Sequence, residues 1–364
     1  MKREILIFST IAMLFTACNK TDVVNFEREE SMMVLSDNDS GNIRAKTLAL
    51  LVEKYGDKIV SIEKDVKPIQ KLETYGTDRV SILIEEVAFP NKTRDIIKFI
   101  TGEIIEIVDS FYVYQADILL NEKQLKLLTE PDVPDGKDEK VELRANVANE
   151  SKYKWSGKTI TYAFPYVFDQ TQKQNIYNAI ALWTAICPFL TFVETQQHVL
   201  MGDILYFIHD EGSYSYVGRQ GGVQLLSIAV NAIPGTAIHE IGHALGLYHE
   251  HSRKDRDTYI NVLYNNIKSN ERHNFDKTSS KLNTLTILGM SPPRPFGGSS
   301  NFDYNSVMLY HGIYNGFAIN VYEPVMTRID NGQTFTAQRS FVGNIDAVGI
   351  YRLYGESVPL SLFF

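Results

Sequence analysis

The chain has 364 residues, 44% hydrophobic and 22% charged, with 44 acidic against 36 basic side chains and a net charge of −8. That length can carry a sizeable core and more than one folded unit. The acidic balance argues against nucleic acid as a partner, and two cysteines, Cys18 and Cys187, exclude a disulfide framework.

The first predicted element is a targeting segment, residues 1–18. Lys2 and Arg3 make a basic start, and Ile5 to Ala17 form an apolar run too short to span a bilayer. Phe15-Thr16-Ala17-Cys18 resembles a bacterial lipobox, with Phe15 in place of the usual Leu. Cys18 is expected to become the lipidated first residue of an exported protein on the cell surface or outer membrane, or of one secreted after processing. A plain signal peptide cut nearby is the competing reading. Either way, contact with a membrane is expected only through a lipid anchor.

Residues 19–45 are polar and charged, with Asp37-Asn38-Asp39-Ser40-Gly41, and read as a flexible tether. Residues 46–130 predict a smaller, strand-rich unit. Val80–Val87 and Glu103–Val108 read as strands and Glu122–Leu128 as a short helix. Residues 131–145, rich in Pro, Gly and charge at their start, read as a linker. A larger region follows over 146–355, with a tail at 356–364.

In the larger region Thr159–Phe164 alternates like a strand. Gln170–Ile186 has helical periodicity, with Ile176, Ile180, Trp183 and Ile186 on one stripe. Cys187 follows as a small buried hydrophobe. Asp203–Ile208 and Leu225–Asn231 read as strands, the second as an exposed edge to which an extended peptide could add. Pro234–Leu245 is a helix with Pro at its start. The fold class is α+β, a mixed sheet with helices packed behind it.

Residues 239–251 read HEIGHALGLYHEH, which contains HExxHxxGxxH. His239 and His243, four apart on a helix, share one face a turn apart and can reach one zinc ion at about 2.0–2.1 Å. His249 lies six residues further on. In a continuing helix that is about 600° of rotation and about 9 Å of rise, on the wrong face. The helix is therefore expected to stop at Gly246, where glycine turns the chain and brings in His249 as third ligand. Three protein ligands leave a fourth position for water, the arrangement of catalytic rather than structural zinc. Zinc brings the pKa of bound water to about 7, and Glu240 can accept that water's proton and pass it to a leaving amine. The expected chemistry is peptide-bond hydrolysis with one catalytic Zn2+. His251 is expected to be an exposed loop residue, and so are His198, His209, His273 and His311, each of which could instead be a satisfied partner within the fold.

The full motif is the metzincin signature, and HEIGHALGLYHEHSRKDRDTYI resembles the astacin family of zinc metalloendopeptidases. The resemblance covers roughly 146–355. It includes Trp155-Ser156-Gly157, Ser215-Tyr216-Val217-Gly218-Arg219, Ser306-Val307-Met308-Leu309-Tyr310 and a closing helix over Asn344–Gly355. It implies a metzincin catalytic domain with a zinc helix and a Met-turn at Met308. Leu309 stands where the family usually has His. The resemblance also implies that Tyr310 is an extra metal ligand in the resting enzyme and a donor to the oxyanion during reaction. Glu250 is implied to hold the new N-terminus of the processed chain.

The same resemblance implies that 46–130 is a propeptide that plugs the metal with an aspartate. Tyr112–Leu120 looks like that element, with Asp117 as the plug and Ala116 where the family has Gly. Bound to zinc, Asp117 would displace the water and leave a latent zymogen. Activation then needs another protease, and a cut after Arg144 would start the mature chain at Ala145 or Asn146. The partners expected are an activating protease and a protein or peptide substrate. A catalytically silent zinc-binding adhesion protein is the alternative from another class, against which Glu240 speaks. Residues 19–130 as a binding module retained with the protease is a third.

Overall fold

The computed structural model describes residues 37–68, 87–131, 153–196, 201–279, 281–282, 302–313 and 316–363. Cys18, residues 80–86, Arg144 and His198, for which the sequence set expectations, lie outside the described residues.

Residues 37–131 begin with α1 (Asp37–Tyr55). Its buried Leu48, Leu51 and Tyr55 recur three and four apart, so one face turns inward. The tether expected to reach residue 45 therefore ends earlier. Packing of that face and the pairing of Arg44 with Asp65 and Asp95 hold the polar run in a helix that propensity alone would not predict. An antiparallel meander follows: β1 (Ile59–Val66), β2 (Arg94–Phe99), β3 (Ile104–Val108), β4 (Phe111–Tyr114) and β5 (Ile118–Leu120). Then comes α2 (Glu122–Thr129), whose first turn is closed by a reciprocal capping box between Asn121 and Gln124.

The larger region contributes β6 (Thr159–Ala163), α3 (Gln170–Ile186), β7 (Thr191–Glu194), β8 (Ile204–Ile208), β9 (Tyr214–Tyr216), β10 (Val223–Ser227), α4 (Pro234–Leu245) and, near its end, α5 (Asn344–Tyr354). A small ribbon pairs β11 (Ile260–Val262) with β12 (Met326–Arg328). β6, β7, β8 and β10 run parallel, while β9 is antiparallel to β10. One core gathers α3, α4 and α5 against this sheet through Ile176, Trp183, Leu205, Ile241 and Leu353. The class is α+β with a mixed sheet, as expected.

Both parts share one ten-stranded sheet, ordered β1-β2-β3-β4-β5-β9-β10-β8-β6-β7. The joint is the parallel pair β5–β9, with Ile118 opposite Ser215 and Leu119 opposite Tyr216. This corrects the expected edge strand: β10 lies between β9 and β8, so both its sides are occupied. The three residues of β9 are too few for alternation to mark them as a strand.

Cys187 caps the end of α3, fully buried, and burial pushes its thiol up to about 12. At that value it is a packing group and not a nucleophile.

Candidate metal centre

The centre is built on α4. Pro234 opens this helix with a preset φ, and residues 235–245 are all buried. Trp183 donates its indole N–H to the Ile238 carbonyl (3.0 Å) and Trp155 donates to the Ala244 carbonyl (2.8 Å), which ties both halves of the helix to the core. Gly246 ends it with φ 122°, and its N–H returns to the carbonyls of Gly242 and His243. A side chain would be strained at that φ. The turn takes the chain off the helix axis and delivers His249 beside His239 and His243, as its spacing required.

The three imidazoles meet a fourth group. The Asp117 carboxylate and the Nε2 atoms of His239, His243 and His249 all lie within 4.8 Å of one another, and all four residues are buried. Asp117 comes from the short loop before β5, far from the histidines in sequence.

The tautomers are set by the surroundings. His239 Nδ1 is 2.7 Å from the Val307 carbonyl and His243 Nδ1 is 2.7 Å from the Leu247 carbonyl. A carbonyl only accepts, so both Nδ1 atoms carry the proton and both Nε2 atoms present a lone pair. Those two lone pairs face each other at 3.1 Å. Two acceptors at that distance repel unless a cation lies between them. Ligands about 2.0–2.1 Å from one tetrahedral zinc would stand about 3.3 Å apart, close to the observed spacing. The donor set, three neutral nitrogens and one carboxylate, therefore fits a zinc ion.

Electrostatics agree with that fit. Burial alone would raise the Asp117 carboxyl, but the histidines, His249 foremost, outweigh it and hold the group well below its ordinary range. Burial keeps His249 down at about 4 and lowers His243, so both rings favour the neutral form that binds metal. Glu240 is fully buried, and among the described residues neither of its oxygens has a hydrogen-bond partner. Burial first, and then the charge of Asp117, push its carboxyl well above the usual range.

The Met-turn lies under the helix. A Cβ on Gly242 would come 2.6 Å from the Met308 sulfur, so glycine is what lets Met308 pack against α4. The Met308 carbonyl accepts from the Glu250 N–H (2.9 Å), and Val307 supplies the acceptor for His239. Asp346, in the first turn of α5, accepts from Ser306 Oγ (2.6 Å) and from the Val307 N–H (2.8 Å). α5 thereby pins the turn, a role sequence reasoning missed because nothing local marks Asp346 as the partner.

Tyr310 is fully buried, and its hydroxyl donates to the Gln115 carbonyl (2.9 Å). Its ring stacks on His251, centroid to centroid 4.0 Å. His251 is thus a buried platform, not the exposed residue expected. Its Nε2–H reaches the Asn274 carbonyl (3.2 Å), and burial, with His249 and Arg256 nearby, keeps it neutral. The same correction holds for His273 and His311, both buried, and for His209, which stacks on Phe168 at 3.9 Å. Isolated histidines carry no periodic signal, so their burial was not legible.

Glu250 is buried, paired with Arg253 (2.7 Å) and accepting from the Asp303 N–H (3.1 Å). Arg253 is visible in the sequence as part of the charged run, but its partner is not.

A family model described as Astacin (Peptidase family M12A) matches residues 147–355. Zinc metalloproteinase nas-31 of Caenorhabditis elegans is 29% identical over 260 residues, 69% of this chain and 40% of that protein. Zinc metalloproteinase nas-12 of the same organism is 32% identical over 58% of this chain and 50% of its own length. The chain thus spans half or less of these relatives. Among solved structures, high choriolytic enzyme 1, a hatching enzyme zinc-protease of the medaka fish Oryzias latipes, is 27% identical. It matches over 56% of this chain and 94% of that one, with a TM-score of 0.46. With the family's model covering more than half of its residues, the chain belongs to the astacin family, peptidase family M12A.

Proposed function

We propose that this chain is a zinc-dependent endopeptidase held latent by its own N-terminal part. One observation carries the reading: the buried Asp117 carboxylate lies among the three imidazole Nε2 atoms, next to a buried Glu240 without partners. The relatives named as zinc metalloproteinases support the reaction class.

His239, His243 and His249 would hold the metal, which supplies Lewis acidity and a nucleophile at neutral pH. Glu240 takes the proton from the attacking water and returns it to the leaving amine. Tyr310 donates to the carbonyl oxygen as negative charge grows there. In the latent form it already donates to a main-chain carbonyl, that of Gln115. Asp117 fills the position a water needs. Once β5 leaves, β9 becomes the edge to which an extended protein or peptide substrate adds by main-chain bonds.

The remaining parts of this reading concern processing. A cut after Arg144 by another protease frees the N-terminal part, and the new N-terminus reaches Glu250, which holds Arg253 until then. Residues 46–130 act as the propeptide and 146–355 as the catalytic domain. Cys18 is lipidated, and the protein is exported and anchored at the surface. The test is casein hydrolysis by the processed chain. Activity should vanish on removing metal with a chelator and return on adding zinc; hydrolysis that persists in the metal-free protein rejects the reading.

A further inference from the structure

The N-terminal part touches far more than the metal. Main-chain and side-chain bonds bracket the plug: the Ser215 N–H donates to the Asp117 carbonyl (3.1 Å), Tyr310 to the Gln115 carbonyl, and Gln115 Nε2 to the Asp276 carbonyl (2.9 Å). Apolar side chains are shared as well. Val113 and Leu119 pack with Tyr214, and Tyr114 and Leu125 share a core with Val217 and Tyr248. Further out lies a buried polar network. Arg94 on β2 pairs with Glu271, Glu106 on β3 lies 2.8 Å from His273 Nε2, and Asn274 donates to Glu271 (3.0 Å). Separating the parts would break the Arg94–Glu271 and Glu106–His273 pairs, leaving Arg94 only Glu106, 3.6 Å away, and Glu271 only Asn274, and breaking buried pairs is costly.

Gly212 marks the tightest approach. A Cβ there would stand 2.1 Å from the Val87 carbonyl oxygen and 2.2 Å from that of Ala88, both backbone atoms that cannot rotate away. The Ala88 N–H in turn donates to the Ala116 carbonyl (2.9 Å), next to the plug. Glycine at 212 leaves room for the N-terminal part, and any side chain would push it off. All of these contacts between the two parts join residues 87–131 to residues 212–276 or 310, so they do not depend on the connection between the two parts.

We propose that residues 37–131 bind the catalytic part as a separate subunit would, admitted by Gly212, so that cutting the connection leaves a noncovalent complex that stays latent. This rests on the endopeptidase reading for its consequence, though not for the binding itself. Activation is then two events: a cut, and the removal or destruction of the N-terminal fragment.

The test uses the full chain with a site for a sequence-specific protease placed between Pro131 and Tyr153. After cutting, the two pieces should co-elute on a sizing column, with casein hydrolysis close to that of the uncut chain. In Gly212→Ala the cut pieces should hold together about tenfold less tightly or worse, as overpacking against fixed backbone implies, and activity should appear. Arg94→Gln weakens the complex from the other side and covers the case in which Gly212→Ala does not fold. Wild-type pieces that separate on cutting, or variants that hold as tightly as wild type, overturn the proposal. An uncut chain that already hydrolyses casein sinks the latency reading instead. Variant pieces that separate while the freed catalytic piece never hydrolyses casein leave the complex standing and sink the peptidase reading.

Discussion

The Asp117 carboxylate lies 3.1 Å from His249 Nε2, although 132 positions separate the two in the chain. The contact joins the N-terminal part to the histidine cluster, and in the proposed reading the carboxylate fills the corner that a water needs. Removing the carboxylate should open that corner. Asp117→Ala is expected to raise hydrolysis of a short peptide by the uncut chain at least about tenfold, one decade for each 1.4 kcal/mol of plug interaction lost. An uncut variant as inert as wild type toward both casein and the peptide would place the plug elsewhere.

Among the described residues Glu240 has no hydrogen-bond partner to lose. Glu240→Gln should therefore fold and keep one zinc per chain while the processed form loses about 10²–10⁴ in rate, the usual worth of a general base. Metal content and casein hydrolysis measured on the same sample check this. Retained activity at full metal content removes Glu240 from the mechanism.

Gln115 and Ala116, the residues just before Asp117, both have positive φ, 49° and 71°. Side chains cost about 1–2 kcal/mol each in that region. Ala116→Gly relieves one of them, partly offset by the greater freedom of glycine in the unfolded chain. The uncut protein should gain about 0.5–1 kcal/mol in urea unfolding, with the slope unchanged. A loss of stability would mean that the Ala116 methyl, buried in the cluster with Leu309 and Tyr310, matters more than its backbone.

Glu271 carries a pH dependence. Burial foremost, then the neighbouring Glu106, raise its carboxyl to about 7 despite the pull of Arg94. The folded chain therefore holds a proton that the unfolded chain releases near 4.5. The stability this contributes is complete below about pH 4.5 and is lost as pH rises through about 7, by at most about 1.4 kcal/mol per pH unit. The difference in unfolding free energy between wild type and Glu271→Gln should follow that course between pH 4.5 and 7. Parallel profiles across that range would show that Glu271 does not titrate there.

Much of the metal centre was legible because its information is local. The spacing of His239, His243 and His249 fixes which face of a helix they share and where that helix must break, and Gly246 breaks it as expected. The bounds of α3 and α4 followed from apolar periodicity and a proline start. The elements misread lack such signals: β9 is too short to alternate, α1 begins in a polar run, and the buried histidines stand alone in sequence.

What the sequence determined by itself was the chemistry on offer: three neutral nitrogen ligands, a flanking carboxylate and a chain reversal, all set by backbone geometry within thirteen consecutive residues. Only the tertiary structure decided what faces that centre. Asp117 was expected at the centre only through the family resemblance, since nothing local in the sequence places it there. That Tyr310 donates to Gln115, that Arg94 meets Glu271 and that β5 rather than solvent lines β9 are long-range outcomes. They depend on how two surfaces fit, and close packing and buried charge pairing are properties of the folded pair that no stretch of sequence carries alone.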